Sequence, residues 1–96
     1  MTLDELRAAI DALDENLVSL LDARARLALA VGEAKRAHGL PVHQPAREVA
    51  VLYHALSVTR ALDGPLHESG VVALFERIID LTREVQLATA GAKDAE

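Results

Sequence analysis

Residues 3–37 read LDELRAAIDALDENLVSLLDARARLALAVGEAKRA, and this stretch decides the fold of the chain. Its apolar residues recur at steps of three and four without an interrupting proline, which predicts one continuous α-helix. Thr2 stands before the pattern as an N-cap, and Gly39 and Pro41 follow it where a left-handed C-cap and a stop belong. The helix would be roughly 50 Å long, whereas a compact chain of this length has a radius of gyration of about 13 Å. The first helix is therefore predicted to extend beyond its own domain.

Two shorter helical patterns follow the first one. A second helix is predicted over residues 45–62, because the pattern begins at a proline and an Asp-Gly-Pro break follows at 63–65. A third helix is predicted from about residue 66 to 88, and residues 91–96 are expected to form a frayed tail. No strand pattern, internal repeat or low-complexity segment competes with this interpretation. The sequence therefore predicts an all-α domain over residues 1–90 with three helices, one of them very long.

The composition excludes several classes of protein. A net charge of -5, with one Tyr and one Phe, argues against nucleic-acid binding, which calls for a basic excess and stacking residues. No apolar run is long enough to span a membrane, and the charged start MTLDELRAAID differs from a signal peptide. The chain has no cysteine, so disulfides and thiolate chemistry are excluded. We expect a cytoplasmic protein in which any anionic ligand is bound by a local cationic site.

The apolar stripe of the first helix continues along the predicted overhang. An exposed stripe of that size is typical of an interaction surface. Two copies packed antiparallel, each folded back on its own second and third helices, would cover both stripes under two-fold symmetry. We therefore predict an intertwined homodimer.

Three cations on the first helix have an informative spacing. Arg24 and Lys35 are eleven residues apart, which places them on one helix face, roughly 16 Å apart along the axis. They could hold a small anion between them. Arg7 lies roughly 25 Å before Arg24 on the same helix, so it could reach that anion only from the partner chain of an antiparallel dimer. For any one of these cations taken alone, a solvated surface charge is the simpler interpretation.

Polar residues of the three predicted helices, and of the loop before the second one, occur in the same chain order as the site residues of a known enzyme family. In chain order they are Arg7, Arg24, Lys35, Gln44, Arg47, Glu48, Thr82 and Gln86, together with Gly32. This set resembles that of the all-helical class of chorismate mutase, and the resemblance extends from LRAAIDALDENLVSLLDARARLALAVGEAK to LFERIIDLTREVQ. It implies an intertwined homodimer with two shared active sites, which converts chorismate to prephenate in phenylalanine and tyrosine biosynthesis without a cofactor or metal.

The resemblance also implies how the substrate is bound and activated. Chorismate is a dianion whose ether bond breaks in a pericyclic rearrangement, so the protein must fold the substrate and stabilise charge on the ether oxygen. Arg24 and the partner subunit's Arg7 would bind the two carboxylates. Lys35 and Gln86 would donate to the ether oxygen, where charge develops as the bond breaks.

Four further residues would surround this catalytic set. Glu48 would accept a hydrogen bond from the ring hydroxyl, and Thr82 would donate one to a carboxylate. Arg47 would support the rim of the site. Gln44 stands where many family members carry Asp, and an amide can donate as well as accept, so discrimination at the ring hydroxyl is expected to differ.

Other functions remain open at the level of sequence. An isochorismate pyruvate-lyase would use nearly the same cationic site, and a 4-amino-4-deoxychorismate mutase would place an amine where the hydroxyl lies, which Glu48 and Gln44 do not exclude. A helical dimerisation or regulatory module is the alternative from a different class. No metal site is expected, because the histidines show no metal-ligand spacing. They are His38, His43, His54 and His67.

Overall fold

The computed structural model of the chain describes residues 1–41 and 43–94, with side chains up to Thr89. Three helices make up most of this range: α1 (Leu3–Ala37), α2 (Pro45–Leu62) and α3 (Glu68–Asp94). No strand occurs within the described residues, so the predicted all-α class is confirmed. None of the helices in this part of the chain is long and apolar enough to cross a membrane.

The ends of α1 follow from local sequence chemistry. The Thr2 hydroxyl accepts the backbone N–H of Glu5 at 3.1 Å, which satisfies one of the unpaired donors of the first turn. At the other end Gly39 adopts a left-handed φ of 68°, which a residue without a side chain tolerates best. The N–H of Leu40 then bonds the Lys35 carbonyl at 2.8 Å, which satisfies an acceptor of the last turn. Both predicted boundaries of α1 are confirmed.

The second helix also has its predicted bounds. Pro45 occupies the first turn, and the Gln44 carbonyl accepts the N–H groups of Arg47 and Glu48 at 3.1 and 3.2 Å. The side chain of Gln44 makes no capping bond, so its amide remains available for other contacts. The helix ends at Asp63, whose left-handed conformation turns the chain toward α3.

The third helix differs from its prediction at both ends. It begins at Glu68 rather than near Leu66, because the His67 carbonyl accepts the first helical bonds, from the N–H groups of Gly70 and Val71. It continues to Asp94 instead of ending at residue 88, so it includes residues 91–94 of the stretch predicted to be frayed. No proline follows residue 88, and the alanines there favour helix more than a single glycine opposes it. Residues 95 and 96 lie outside the described range.

An ion pair joins α2 to the start of α3. Arg60 donates from Nε and Nη2 to the two carboxylate oxygens of Glu68, at 2.6 and 3.2 Å. The hydrogen bond from Arg60 holds the pKa of the Glu68 carboxyl below its ordinary value, with an added contribution from the opposite charge. Both groups are exposed, so this pair orients the turn more than it stabilises the fold.

A single chain leaves most of its apolar surface uncovered. The helix α3 packs against both α1 and α2, yet the only buried apolar side chains among the described residues are Ala28, Ala55 and Val71. The radius of gyration is 16.7 Å and the longest dimension is 54 Å, which confirms that α1 extends beyond a compact domain. The accessible surface is 7316 Å², against about 5,400 Å² for a folded monomer of this mass. The uncovered apolar side chains of α1 include Leu3, Leu6, Ile10, Leu13, Leu17 and Leu20.

Candidate functional site

A cavity of about 290 Å³ opens between α1, α3 and the first turns of α2. Its volume is close to the lower end of the range typical of small-molecule sites. Seven of the eight residues predicted to form the site line it, and they come from all three helices and from the loop before α2. They are Arg24, Lys35, Gln44, Arg47, Glu48, Thr82 and Gln86.

Arg7 is the predicted residue that does not line this cavity. It lies in the first third of α1 with an exposed side chain, far along the helix from Arg24. This placement agrees with the expectation that Arg7 cannot reach the site of its own chain. Only from a second subunit could Arg7 reach a site of this kind.

Arg24 is held in place by a residue of the facing helix. Its Nη1 donates to the Thr82 hydroxyl oxygen at 2.6 Å, and both side chains are half-buried. A hydroxyl that accepts in this way still has its own proton to donate. The pair therefore presents a fixed guanidinium and an O–H donor to the same cavity, which suits a carboxylate ligand.

Gln86 is the only buried polar residue among the described residues, with 5% of its surface exposed. Its Nε2 donates to the Ala28 carbonyl of α1 at 2.7 Å, which satisfies one of the two N–H groups of the buried amide. The helices approach closely here because Gly32 has no side chain: a Cβ at that position would lie 3.3 Å from Cγ of Gln86. The amide nitrogen carries two hydrogens, so one remains for a ligand.

Lys35 and the start of α2 form the other end of the cavity. Lys35 lies half-buried in the last turn of α1, and the left-handed turn at Gly39 directs the chain back so that α2 begins beside it. Gln44 and Arg47 line this end as well. Lys35 before the loop and Arg47 after it thus line the same cavity.

The Glu48 carboxylate has two partners that the sequence did not predict. Arg83 Nη2 donates to its Oε1 at 2.7 Å, and His43 Nδ1 lies 2.8 Å from its Oε2. Arg83 also lines the cavity. Its position could have been recognised, because residues three apart share a helix face and Arg83 precedes Gln86 by that interval. His43 lies in an irregular segment, where no periodicity indicates direction.

The cavity is a cationic site on an acidic chain. Of the described residues that line it, four are cationic and one is a carboxylate, although the whole chain carries a net charge of -5. The cations are Arg24, Lys35, Arg47 and Arg83. Apolar side chains of α1, α2 and α3 form the remaining walls and lower the local dielectric, which strengthens charge interactions with a ligand. No cluster that could hold a metal ion occurs within the described residues.

Residues 6–87 match the family model of chorismate mutase type II. The chain belongs to the chorismate mutase type II family. The all-helical chorismate mutase resemblance of the sequence is thereby confirmed. A solved structure of the family, chorismate mutase form II from Thermus thermophilus, superposes with a TM-score of 0.81 at 25% identity, over 88% of this chain and 92% of that one.

Two kinds of curated relative bear on the substrate of this chain. The bifunctional chorismate mutase/prephenate dehydratase of Aquifex aeolicus is 33% identical over 95% of this chain, which spans only 26% of that relative's length. The 4-amino-4-deoxychorismate mutase of Streptomyces pristinaespiralis is 34% identical over 94% of this chain and 70% of its own length. A second 4-amino-4-deoxychorismate mutase, from Streptomyces venezuelae, is 38% identical over 80% of this chain and 73% of its own length. Similarity to this family therefore leaves the ring substituent of the substrate to be decided from the site.

Proposed function

We propose that the chain acts as a chorismate mutase, which rearranges chorismate to prephenate in phenylalanine and tyrosine biosynthesis. The observation that carries this proposal is the convergence of Arg24, Lys35 and Gln86 on one cavity. Two cations for a dianion and an anchored amide donor suit a reaction that needs binding and charge stabilisation, with no nucleophile or proton transfer.

The Arg24 end of the cavity is proposed to bind carboxylate. The guanidinium is already oriented by Thr82, so little side-chain freedom is lost when the substrate binds. Its remaining N–H groups can bind a carboxylate in a bidentate manner, and the Thr82 hydroxyl can add a third bond. Fixing one end of the substrate in this way favours the folded, chair-like arrangement that the rearrangement requires.

Lys35 and Gln86 are proposed to stabilise the ether oxygen as its bond breaks. Charge on that oxygen grows toward the transition state, so donors aimed at it lower the barrier more than they tighten ground-state binding. The Ala28 carbonyl and the close approach at Gly32 hold Gln86 in place, and a donor that needs no reorganisation is the most effective kind.

The start of α2 is proposed to hold the ring of the substrate. Glu48 would accept a hydrogen bond from the ring hydroxyl, because a carboxylate has about four acceptor positions and its contacts with Arg83 and His43 leave room for another. Gln44, whose amide makes no capping bond, would lie beside that hydroxyl, and Arg47 would support the rim.

The proposal includes a homodimer with two shared sites. One chain exposes roughly 1,900 Å² more surface than a folded monomer of its mass, an amount similar to what an obligate subunit buries against its partner. An antiparallel partner would cover the apolar stripe of α1 and bring the partner subunit's Arg7 to the cavity. We also place the protein in the cytoplasm, which its lack of cysteine fits.

A direct assay tests this function. Purified protein is mixed with chorismate, the loss of its absorbance is followed, and the product is identified by mass spectrometry. Formation of prephenate is expected, and a parallel reaction with isochorismate tests for release of pyruvate by the lyase alternative. Exchange of Arg24 and Lys35 for Gln should abolish turnover; a double variant that keeps full ligand binding would favour a regulatory or dimerisation module instead.

A further inference from the structure

The carboxylate proposed to face the ring substituent is paired rather than bare. Arg83 Nη2 contacts Glu48 Oε1 at 2.7 Å, and His43 Nδ1 contacts the other oxygen at 2.8 Å. The side chains of Glu48 and Arg83 are 27% and 33% exposed, so the pair lies at the wall of the cavity rather than in bulk solvent. Water screens such a pair less than it screens a pair on the open surface.

Glu48 is the main partner of Arg83. The other carboxylate near this guanidinium is that of Asp80, one turn earlier on α3, at 3.7 Å from Nη1. That contact is longer than a hydrogen bond, and Asp80 is half exposed, so it orients Arg83 without neutralising it. The charge of Arg83 is therefore directed at Glu48 and at the cavity that both residues line.

The two candidate substrates differ in charge at the ring. Chorismate carries a neutral hydroxyl there, whereas the amine of 4-amino-4-deoxychorismate is protonated near neutral pH, as aliphatic amines are. A hydroxyl needs only one free acceptor position, which the paired carboxylate retains. An ammonium group loses its hydration when it enters the site, so a nearby negative charge must stabilise it instead. A carboxylate that is already neutralised by a guanidinium supplies little of that negative charge.

We propose that Arg83 determines substrate specificity: by neutralising Glu48, it selects a ring hydroxyl and disfavours a ring ammonium group. This inference rests on the proposed function and names the substrate within it, namely chorismate rather than 4-amino-4-deoxychorismate. Arg83 acts through Glu48, so it is a positioning residue for the ring end of the site. Replacing Arg83 with a neutral side chain of similar length should leave Glu48 as an anion that attracts the ammonium group of 4-amino-4-deoxychorismate.

The experiment compares both substrates across four proteins. The ratio of kcat/KM for 4-amino-4-deoxychorismate to that for chorismate is measured for the wild type, Arg83→Met, Arg83→Gln and Arg83→Lys. The two neutral variants should raise this ratio at least about tenfold, which corresponds to about 1.4 kcal/mol, whereas Arg83→Lys should retain the preference of the wild type. Arg77→Met is the matched control: Arg77 is on the same helix, pairs with Glu84 at 3.2 Å and does not line the cavity, so the ratio should not change.

The outcomes separate this inference from the proposed function. Equal losses on both substrates in folded Arg83→Met and Arg83→Gln proteins would show a merely structural role and overturn the inference, as would a wild type that prefers the amine. Dissociation constants for both compounds are measured beside the kinetics. If the wild type converts neither compound, the proposed function fails, and the ratio of dissociation constants then decides the inference: a tenfold shift, about 1.4 kcal/mol, upholds it, and an unchanged ratio overturns it.

Discussion

Arg24 of α1 donates to the hydroxyl of Thr82 of α3 at 2.6 Å, across 58 positions of the sequence. This bond joins the long helix to the third helix directly at the wall of the cavity, and it fixes the guanidinium before any ligand binds. The orientation of Arg24, the proposed carboxylate-binding group, therefore depends on a residue of another helix.

Removing this hydroxyl should impair substrate binding. Thr82→Val keeps the shape of the side chain but loses the bond to Arg24 and the proposed bond to a carboxylate. A hydrogen bond to a charged group contributes about 1.5 to 3 kcal/mol, so kcat/KM for chorismate should fall roughly 10- to 150-fold. Thr82→Ser restores the hydroxyl and should retain most of the activity. Equal activity of the Val variant and the wild type would place the carboxylates elsewhere.

Lys35→Ala should cause the largest loss of turnover among the single variants. A charged donor aimed at developing charge in a site shielded from water is commonly worth about 3 to 4 kcal/mol, or roughly 10² to 10³ in rate. Arg36→Ala is the control, since Arg36 is the next residue of the same turn and does not line the cavity. The rate constant of the chemical step is measured for both variants by single-turnover kinetics. A loss shared equally by the two variants would indicate a general effect of charge at the end of α1.

Gln86→Glu should make activity depend on pH in one direction. An ionised carboxylate would repel both the ether oxygen and the Ala28 carbonyl, whereas the protonated acid can donate, and burial favours the protonated form by raising the pKa of the new carboxyl. Activity should therefore survive mainly at low pH, and at a reduced level, because one O–H cannot serve both acceptors. A pH profile of kcat beside that of the wild type measures this. Equal activity of the variant from about pH 5 to pH 8 would show that Gln86 does not face the breaking bond.

Gly32→Ala should affect activity more than stability. Alanine is more stable than glycine in a helix interior by about 1 kcal/mol. However, the Cβ of an alanine at position 32 would lie 3.3 Å from Cγ of Gln86, and the hydrogen bond from Gln86 to the Ala28 carbonyl holds that side chain in place. These opposing effects should leave the free energy of unfolding within about 1 kcal/mol of the wild type, while displacement of Gln86 lowers kcat. Gly70→Ala meets no atom within 4 Å and serves as the control. Full activity of the Gly32 variant would mean that Gln86 tolerates displacement.

The proposed sharing of sites can be tested by complementation. The protein should sediment as a homodimer at micromolar concentration, and Arg7→Ala and Arg24→Ala should each be nearly inactive. When the two variants are unfolded and refolded together, about half of the dimers are mixed and carry one intact site, so about a quarter of wild-type activity should return.

A second pair of variants, refolded together in the same way, serves as the control. Arg24→Ala refolded with Lys35→Ala should regain nothing, because both residues belong to the same chain's site and no mixed dimer has an intact one. A monodisperse, folded monomer, or mixed dimers of the Arg7 and Arg24 variants without recovered activity, would place Arg7 outside the site.

Local sequence chemistry determined the bounds of α1 and α2. A threonine cap, a glycine that adopts the left-handed region and a proline in the first turn each act within a few residues, so they can be recognised without a tertiary structure. The periodicity of α1 likewise indicated that Arg24 and Lys35 share a face. The end of α3 was predicted too early, because the alanines after residue 88 carry no comparable stop.

Only the tertiary structure decided how the helices meet around the cavity. The rotation of α3 against α1 brings Gln86 to the Ala28 carbonyl and Arg83 to Glu48, and the path of the loop before α2 brings His43 to the same carboxylate. These contacts join residues that are distant in sequence or lie in irregular backbone. Helical spacing indicates which residues share a face of one helix, but it does not indicate which residue of another element that face contacts. The contact of Gln86 with Ala28 depends on close packing at Gly32, a single glycine within a continuous helix where α1 and α3 approach each other.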